Sequence, residues 1–215
     1  MGSAILWMAA GAPLFAEEKQ KATPPAAGIS RIVVLGDSIT AGYGLSKEQA
    51  YPALLQTKLK ETGHPATVAN AGVSGDTTAG GLRRVAWALG PGADVLIIAL
   101  GGNDGLRGLS PDQTAANLAG IITKAREKNP AIRVILAGMQ MPSNMGAEYT
   151  EAFKNLYPRV AKENNAILLP FLLEGVGGDP QFNQDDQIHP NEAGQKRIAE
   201  TVWDALQPLL AAKPE

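Results

Sequence analysis

Apolar residues fall along this chain in two alternating rhythms. Short, nearly unbroken apolar runs recur: Ile32-Val-Val-Leu35, Ala66 to Asn70, Asp94 to Leu100, Ile132 to Ala137 and Ala166 to Pro170. Runs of this length without polar alternation predict strands buried on both faces, as in a parallel sheet covered by helices. Between them the apolar positions return at helical spacing. Tyr51, Leu54, Leu55 and Leu59 lie on one face of a helix expected over Glu48 to Thr62, with Gly63 as its cap. A second helix is expected through Arg84, Val85 and Trp87, and a third opens at Ser110-Pro111-Asp112 and runs to Lys128. Glu148 to Asn164, with Pro158 as a kink, and Asn191 to Leu210 complete the set. Strands alternating with helices over one stretch predict an α/β fold, a three-layer α/β/α sandwich around a five-stranded parallel sheet.

Three of the predicted strands stop at glycine-rich polar turns: Gly36-Asp-Ser38, Ala71 to Thr78, and Gly101-Gly-Asn-Asp-Gly105. Parallel strands share the edge at which they end, so these turns are expected side by side, where open α/β sheets present ligands. Taken singly, each has a plain structural reading. Asp37 and Ser38 suit a helix cap, Gly75 a tight turn and Asn103 an Asx turn.

At 215 residues the chain suits one domain with a full core. A charged fraction of 19% and a net charge of -2, with Lys and Arg at most in pairs, provide no basic stripe for nucleic acid. Cysteine is absent, which removes disulfides, thiolate catalysis and cysteine-ligated metals. Residues 1–29 stand apart as a signal-like segment and linker ahead of a domain over 30–215. Ala4 to Ala16 is nearly all apolar and precedes Glu17-Glu-Lys-Gln-Lys21, although no Lys or Arg comes before it. At about thirteen residues the run is shorter than the ~20 that span a bilayer. This atypical start gives the expectation of a periplasmic or secreted protein, without stable membrane insertion.

Only two histidines exist. His64, between the first helix and the second strand, belongs at the sheet edge away from the turns. His189 lies in Asp185-Asp-Gln-Ile-His-Pro190, just before the last helix. Asp186 stands three residues ahead of it, close enough in one turn to accept from Nδ1 and leave Nε2 for a serine proton. Asp185 is a rival for that carboxylate, and a solvated loop explains the pair equally well. Ser38 as nucleophile needs donors for an oxyanion. Its own N–H, the Gly75 N–H and the Asn103 amide are available for this.

Together, Gly36-Asp-Ser-Ile39, Gly75 in Ser-Gly-Asp-Thr, Gly101-Gly-Asn-Asp104 and Asp186-Gln-Ile-His189 resemble the four blocks of the SGNH, or GDSL-type, hydrolases, in order from about Arg31 to Ala211. The longer strings around Gly75 and Asn103 most resemble the multifunctional bacterial periplasmic thioesterase, lysophospholipase and arylesterase branch. Ile39 replaces the usual leucine, and Gln187 stands where glycine is common. The resemblance implies a flavodoxin-like fold and a lipase-like esterase without cofactor. Ser38 would be its nucleophile, His189 its acid and base, and Asp186 the orienting carboxylate. Ser38, Gly75 and Asn103 would form the oxyanion hole. Short to medium acyl esters, aryl esters, thioesters and lysophospholipids are the substrates it implies.

Met139, Met141 and Met145, three of five methionines, crowd the loop after the fourth strand, as acyl-pocket lining or as ordinary packing. A competing reading gathers Asp37, Asp76, Asp104 and Asp186 around Mg²⁺ in a phosphoesterase. Another takes the turns as a non-catalytic nucleotide- or sugar-binding module. A monomer acting on small molecules is the default.

Overall fold

The computed structural model describes Met1 and residues 28–211, so most of the 1–29 segment, including Ala4 to Ala16, lies outside the described residues. Five parallel strands, β1 (Arg31–Gly36), β2 (Thr67–Gly72), β3 (Val95–Ala99), β4 (Arg133–Ala137) and β5 (Ile167–Leu169), form one sheet in the order β2-β1-β3-β4-β5. Every residue of β3 is buried, and only the first residue of β1 and of β4 is not fully so. The edge strands β2 and β5 are more open, as an all-parallel sheet covered on both faces requires. The Asp94 carboxylate fastens the start of β1 by accepting from Ser30 N, Ser30 Oγ and Arg31 N, at 2.8, 2.8 and 2.9 Å.

Among the described residues seven α-helices follow the strands: α1 (Ser38–Ala41), α2 (Tyr51–Glu61), α3 (Thr78–Ala88), α4 (Gly102–Leu106), α5 (Pro111–Lys128), α6 (Ala147–Glu163) and α7 (Glu192–Ala211). α2 packs with α7, while α3, α5 and α6 pack in series, which makes the two helical layers. α5 opens as its sequence predicts, with Ser110 accepting from Gln113 N and Pro111 at the first position. α6 continues through Pro158 to Glu163.

The structure differs from the sequence expectation in two places. Glu48 belongs to a separate 3₁₀ turn, Lys47–Gln49, and α2 starts only at Tyr51 with Pro52 in its first turn. The turn expected at Gly101 to Gly105 holds a short helix, α4, despite its glycines. β2 lies on one side of β1 and β3 on the other. The chain therefore reverses its winding between β1 and β3, the place where such sheets bind ligands.

Candidate active site

β1 ends at Gly36, Asp37 caps α1 by accepting from Ile39 N at 3.0 Å, and Ser38 is the first residue of that helix. First-turn N–H groups have no acceptor within their own helix, which leaves the Ser38 N–H without a helical partner. Four helical residues are too few to be stable alone, and α1 is held from outside. Asn70 Nδ2 donates to Thr40 O at 2.8 Å, the buried Gln195 of α7 donates to Ile39 O at 3.0 Å, and Thr40 Oγ1 meets Tyr51 Oη at 2.8 Å. Gly42 ends the helix at φ 76°, ψ 46°, a left-handed conformation natural to glycine. Ser38 is thereby fixed at a buried spot with only 8% of its surface exposed.

His189 comes to Ser38 across 151 residues of sequence, with Nε2 3.0 Å from Ser38 Oγ. Its Nδ1 lies 2.6 Å from Asp186 Oδ2. The other Asp186 oxygen accepts the main-chain N–H of Ile188 and of His189, both at 2.9 Å. These N–H groups and the imidazole hold the Asp186 carboxyl down to about 2. The tight turn between them is made by Gln187 at φ 58°. A glycine would take that conformation freely; Gln187 holds it while its N–H bonds Gln184 O at 2.9 Å. Gln184 in turn donates to Tyr43 O at 2.7 Å, tying this loop to the turn after α1. The Tyr43 ring lies over the imidazole, 4.5 Å between centroids. Asp185 is exposed and Asp186 is the carboxylate on the imidazole. His64 sits between α2 and β2, at the opposite sheet edge.

Gly75 has φ 77° and lies beyond β2, with room for a Cβ but not for the strain one would carry there. Asn103, in the first turn of α4, donates through Nδ2 to Asp76 O at 2.9 Å and faces Asp37 Oδ2 at 3.4 Å. α4 is pinned by the buried Asp104, which accepts from Thr78 N and Thr78 Oγ1 at 2.9 and 2.5 Å. Ser38, Gly75 and Asn103 thus share one edge of the sheet with His189. A hydroxyl bonded to an imidazole that is bonded to a carboxylate can be activated to attack an acyl carbon, and flanking N–H donors can receive the resulting oxyanion.

Residues 34–197 match the model of the GDSL-like lipase/acylhydrolase family. The chain belongs to that family. Esterase TesA of Pseudomonas aeruginosa is 46% identical over 185 residues, which cover 86% of this chain and 91% of TesA. Thioesterase 1/protease 1/lysophospholipase L1 of Escherichia coli is 41% identical, covering 86% of this chain and 87% of the relative. The crystal structure of the psychrotrophic esterase EstA from Pseudoalteromonas sp., inhibited by monoethylphosphonate, shares the fold with a TM-score of 0.80. It is 30% identical and covers 85% of this chain and all of its own. The chain is accordingly a serine hydrolase acting on esters, on a fold it shares with the other GDSL-like hydrolases.

In this GDSL-like hydrolase a cavity of about 380 Å³ opens beside the site, lined by Ile39, Leu106, Met139, Met141, Phe171 and Ile188 among others. Met139 and Met141 are buried in it, Met139 against Gly102 and Met141 against Gly105, positions where a Cβ would displace them. Met145 is not part of this lining; it packs against the core from the 3₁₀ turn Ser143–Met145. A larger groove of about 620 Å³ runs along β2 between Lys47, Gln56, Lys60 and Asn70 and contains neither serine nor histidine. The four aspartates of the metal reading are each engaged elsewhere: Asp37 with Ile39, Asp76 with Arg84, Asp104 with Thr78, Asp186 with His189. Among the described residues no three metal-type side chains converge.

Asp37, which the sequence offers as a helix cap or as one of four Mg²⁺-binding aspartates, and Tyr43 and Gln195, for which it offers no role, all support the site. Asp37 is the most consequential of these. Burial pushes its carboxyl up to about 6, against the opposing pull of the Ile39 N–H and of His189. In the unfolded chain it titrates near 3.8. Between pH 4 and 6 the native state therefore holds a proton that the unfolded state has lost, and stability falls as pH rises through that window, by about 3 kcal/mol at most. Asp186 behaves oppositely, contributing stability above pH 4 that is lost as pH falls toward 2. Asp37→Asn should erase the first slope and leave the second. Urea unfolding of both proteins from pH 2 to 8 measures this, and parallel curves between pH 4 and 6 would contradict it.

Proposed function

We propose that Ser38 is the nucleophile, His189 the general base and acid, and Asp186 the carboxylate that orients it, in hydrolysis of short to medium acyl esters. The N–H groups of Ser38 and Gly75 and the Asn103 amide are the oxyanion donors. The reading is carried by one observation: His189 spans Ser38 Oγ at 3.0 Å and Asp186 Oδ2 at 2.6 Å with its two ring nitrogens. Ser38 Oγ attacks the acyl carbon as Nε2 takes its proton. The tetrahedral intermediate expels the alcohol or thiol, which receives that proton. His189 then deprotonates water, which attacks the acyl-serine and frees the acid and Ser38.

The relatives named thioesterase, lysophospholipase, esterase and arylesterase support extending the substrates to aryl esters, thioesters and lysophospholipids. The apolar cavity at Met139 and Met141 is where the acyl chain would lie. A monomer, with no nucleic-acid partner, completes the reading. Export to the periplasm or medium rests on the sequence of residues 4–16 and is tested by the mass of the protein from its native host.

Turnover of p-nitrophenyl esters of increasing acyl length, with chelator present, tests the function. The expected result is chelator-resistant hydrolysis with an optimum among short and medium chains, and a Met141→Ala variant whose optimum shifts. Activity lost to chelator and restored by Mg²⁺ would contradict the reading.

A further inference from the structure

We infer that Arg84 and Asp76 form a positioning pair that sets the spacing of the oxyanion donors, an inference that rests on the reading of Ser38, Gly75 and Asn103 above. Arg84 lies on α3, with only 17% of its side chain exposed. Its Nε donates to Asp76 Oδ2 at 2.6 Å, one terminal nitrogen donates to Ala71 O at 2.7 Å and the other to Gly36 O at 2.8 Å. Each acceptor stands next to the site. Gly36 is the last residue of β1, two before Ser38. Ala71 is the next-to-last residue of β2, and Asp76 directly follows Gly75. One guanidinium thus joins the ends of two neighbouring strands to the loop that carries the second donor.

The third donor hangs from the same loop, because Asn103 Nδ2 bonds the main-chain carbonyl of Asp76 at 2.9 Å. Asp76 is further fixed by accepting from Thr77 N at 3.1 Å and by lying on Gly80, where a Cβ would strike its carboxylate. Moving Asp76 would therefore move the Gly75 N–H and the acceptor that orients Asn103 together. Arginine suits this junction because its planar fork offers donors at fixed angles, which a lysine ammonium cannot reproduce. Neither Arg84 nor Asp76 lines the cavity at Met139 and Met141. Loosening the pair should thus weaken binding of the tetrahedral anion rather than of the acyl chain.

The test compares Arg84→Gln, Arg84→Lys and Asp76→Asn with Asn103→Ala. It measures kcat and KM for p-nitrophenyl butyrate, inhibition by an alkylboronic acid, which forms a tetrahedral anion on serine, and inhibition by octanoate. The expected result is kcat lower by about tenfold to a hundredfold in Arg84→Gln and Asp76→Asn, with KM little changed. Boronate affinity should fall in step and octanoate affinity should not. Arg84→Lys should fail to restore kcat, and the Arg84→Gln/Asp76→Asn double variant should be no worse than the weaker single. If Arg84→Gln does not fold, Asp76→Asn carries the comparison, since it keeps both carbonyl contacts of the guanidinium. Near-normal kcat in the folded variants, or equal loss of boronate and octanoate binding, overturns the inference. An impaired Asn103→Ala beside normal Arg84 and Asp76 variants overturns the inference alone. An active Asn103→Ala overturns the oxyanion reading beneath it.

Discussion

Ser38→Ala should lower ester turnover by roughly 10⁴ to 10⁶ while leaving the fold intact, since removing a serine nucleophile typically costs that much. The side chain's hydrogen bond is to His189 Nε2 at 3.0 Å, and alanine fills the same place at the start of α1. The contacts that fix α1 use Asn70, Gln195, Tyr51 and the Asp37 cap, none of which involves the hydroxyl. Near-ultraviolet circular dichroism should match the wild type, and residual turnover should reflect the donors and water alone. Activity within about tenfold of wild type would mean that another group attacks the ester.

Asp186→Asn should cost roughly 10⁴ in kcat, whereas Asp185→Asn should remain near wild type. The asparagine oxygen can still accept from Ile188 N and His189 N, so the loop keeps its shape. The amide nitrogen, however, would face His189 Nδ1 in place of Oδ2. Two donors cannot bond each other, so Nδ1 becomes the acceptor and the ring proton moves to Nε2. That nitrogen then points an N–H at Ser38 Oγ and cannot take its proton. Asp185 is exposed on the same loop and touches none of this. Steady-state kinetics of the two variants decide the matter; an inactive Asp185→Asn beside an active Asp186→Asn would reverse the assignment.

The sheet could be read from sequence because burial leaves a mark at every position: β3 is five apolar residues in a row, all buried. The polar turns could be read because parallel strands must end on one edge, which brings Ser38, Gly75 and Asn103 together without knowledge of any side chain. α4 could not, because its glycines argue against a helix. What holds it is Asp104 on Thr78, and Tyr149 donating to Gly105 O and Leu109 O, contacts made from distant segments. Arg84 was equally hidden. Beside the exposed Arg83 it reads as another solvated helix charge, and its three acceptors lie 8, 13 and 48 residues away. Asp37 shows the same limit differently. Its capping bond is local and foreseeable, while its raised pKa comes from burial under the finished fold. Met139, Met141 and Met145 looked alike in sequence, and only the path of the loop separates the two that line the cavity from the one that does not.

The most direct test of the serine mechanism is to treat the protein with a p-nitrophenyl alkylphosphonate, whose phosphorus a nucleophilic serine attacks with loss of nitrophenolate, and to locate the adduct by mass spectrometry. One phosphonyl group per chain, on the peptide containing Ser38, with activity lost in proportion and no labelling of Ser38→Ala, is the predicted result. Labelling of another residue that tracks the loss of activity, or full labelling of Ser38 with turnover unchanged, would contradict it.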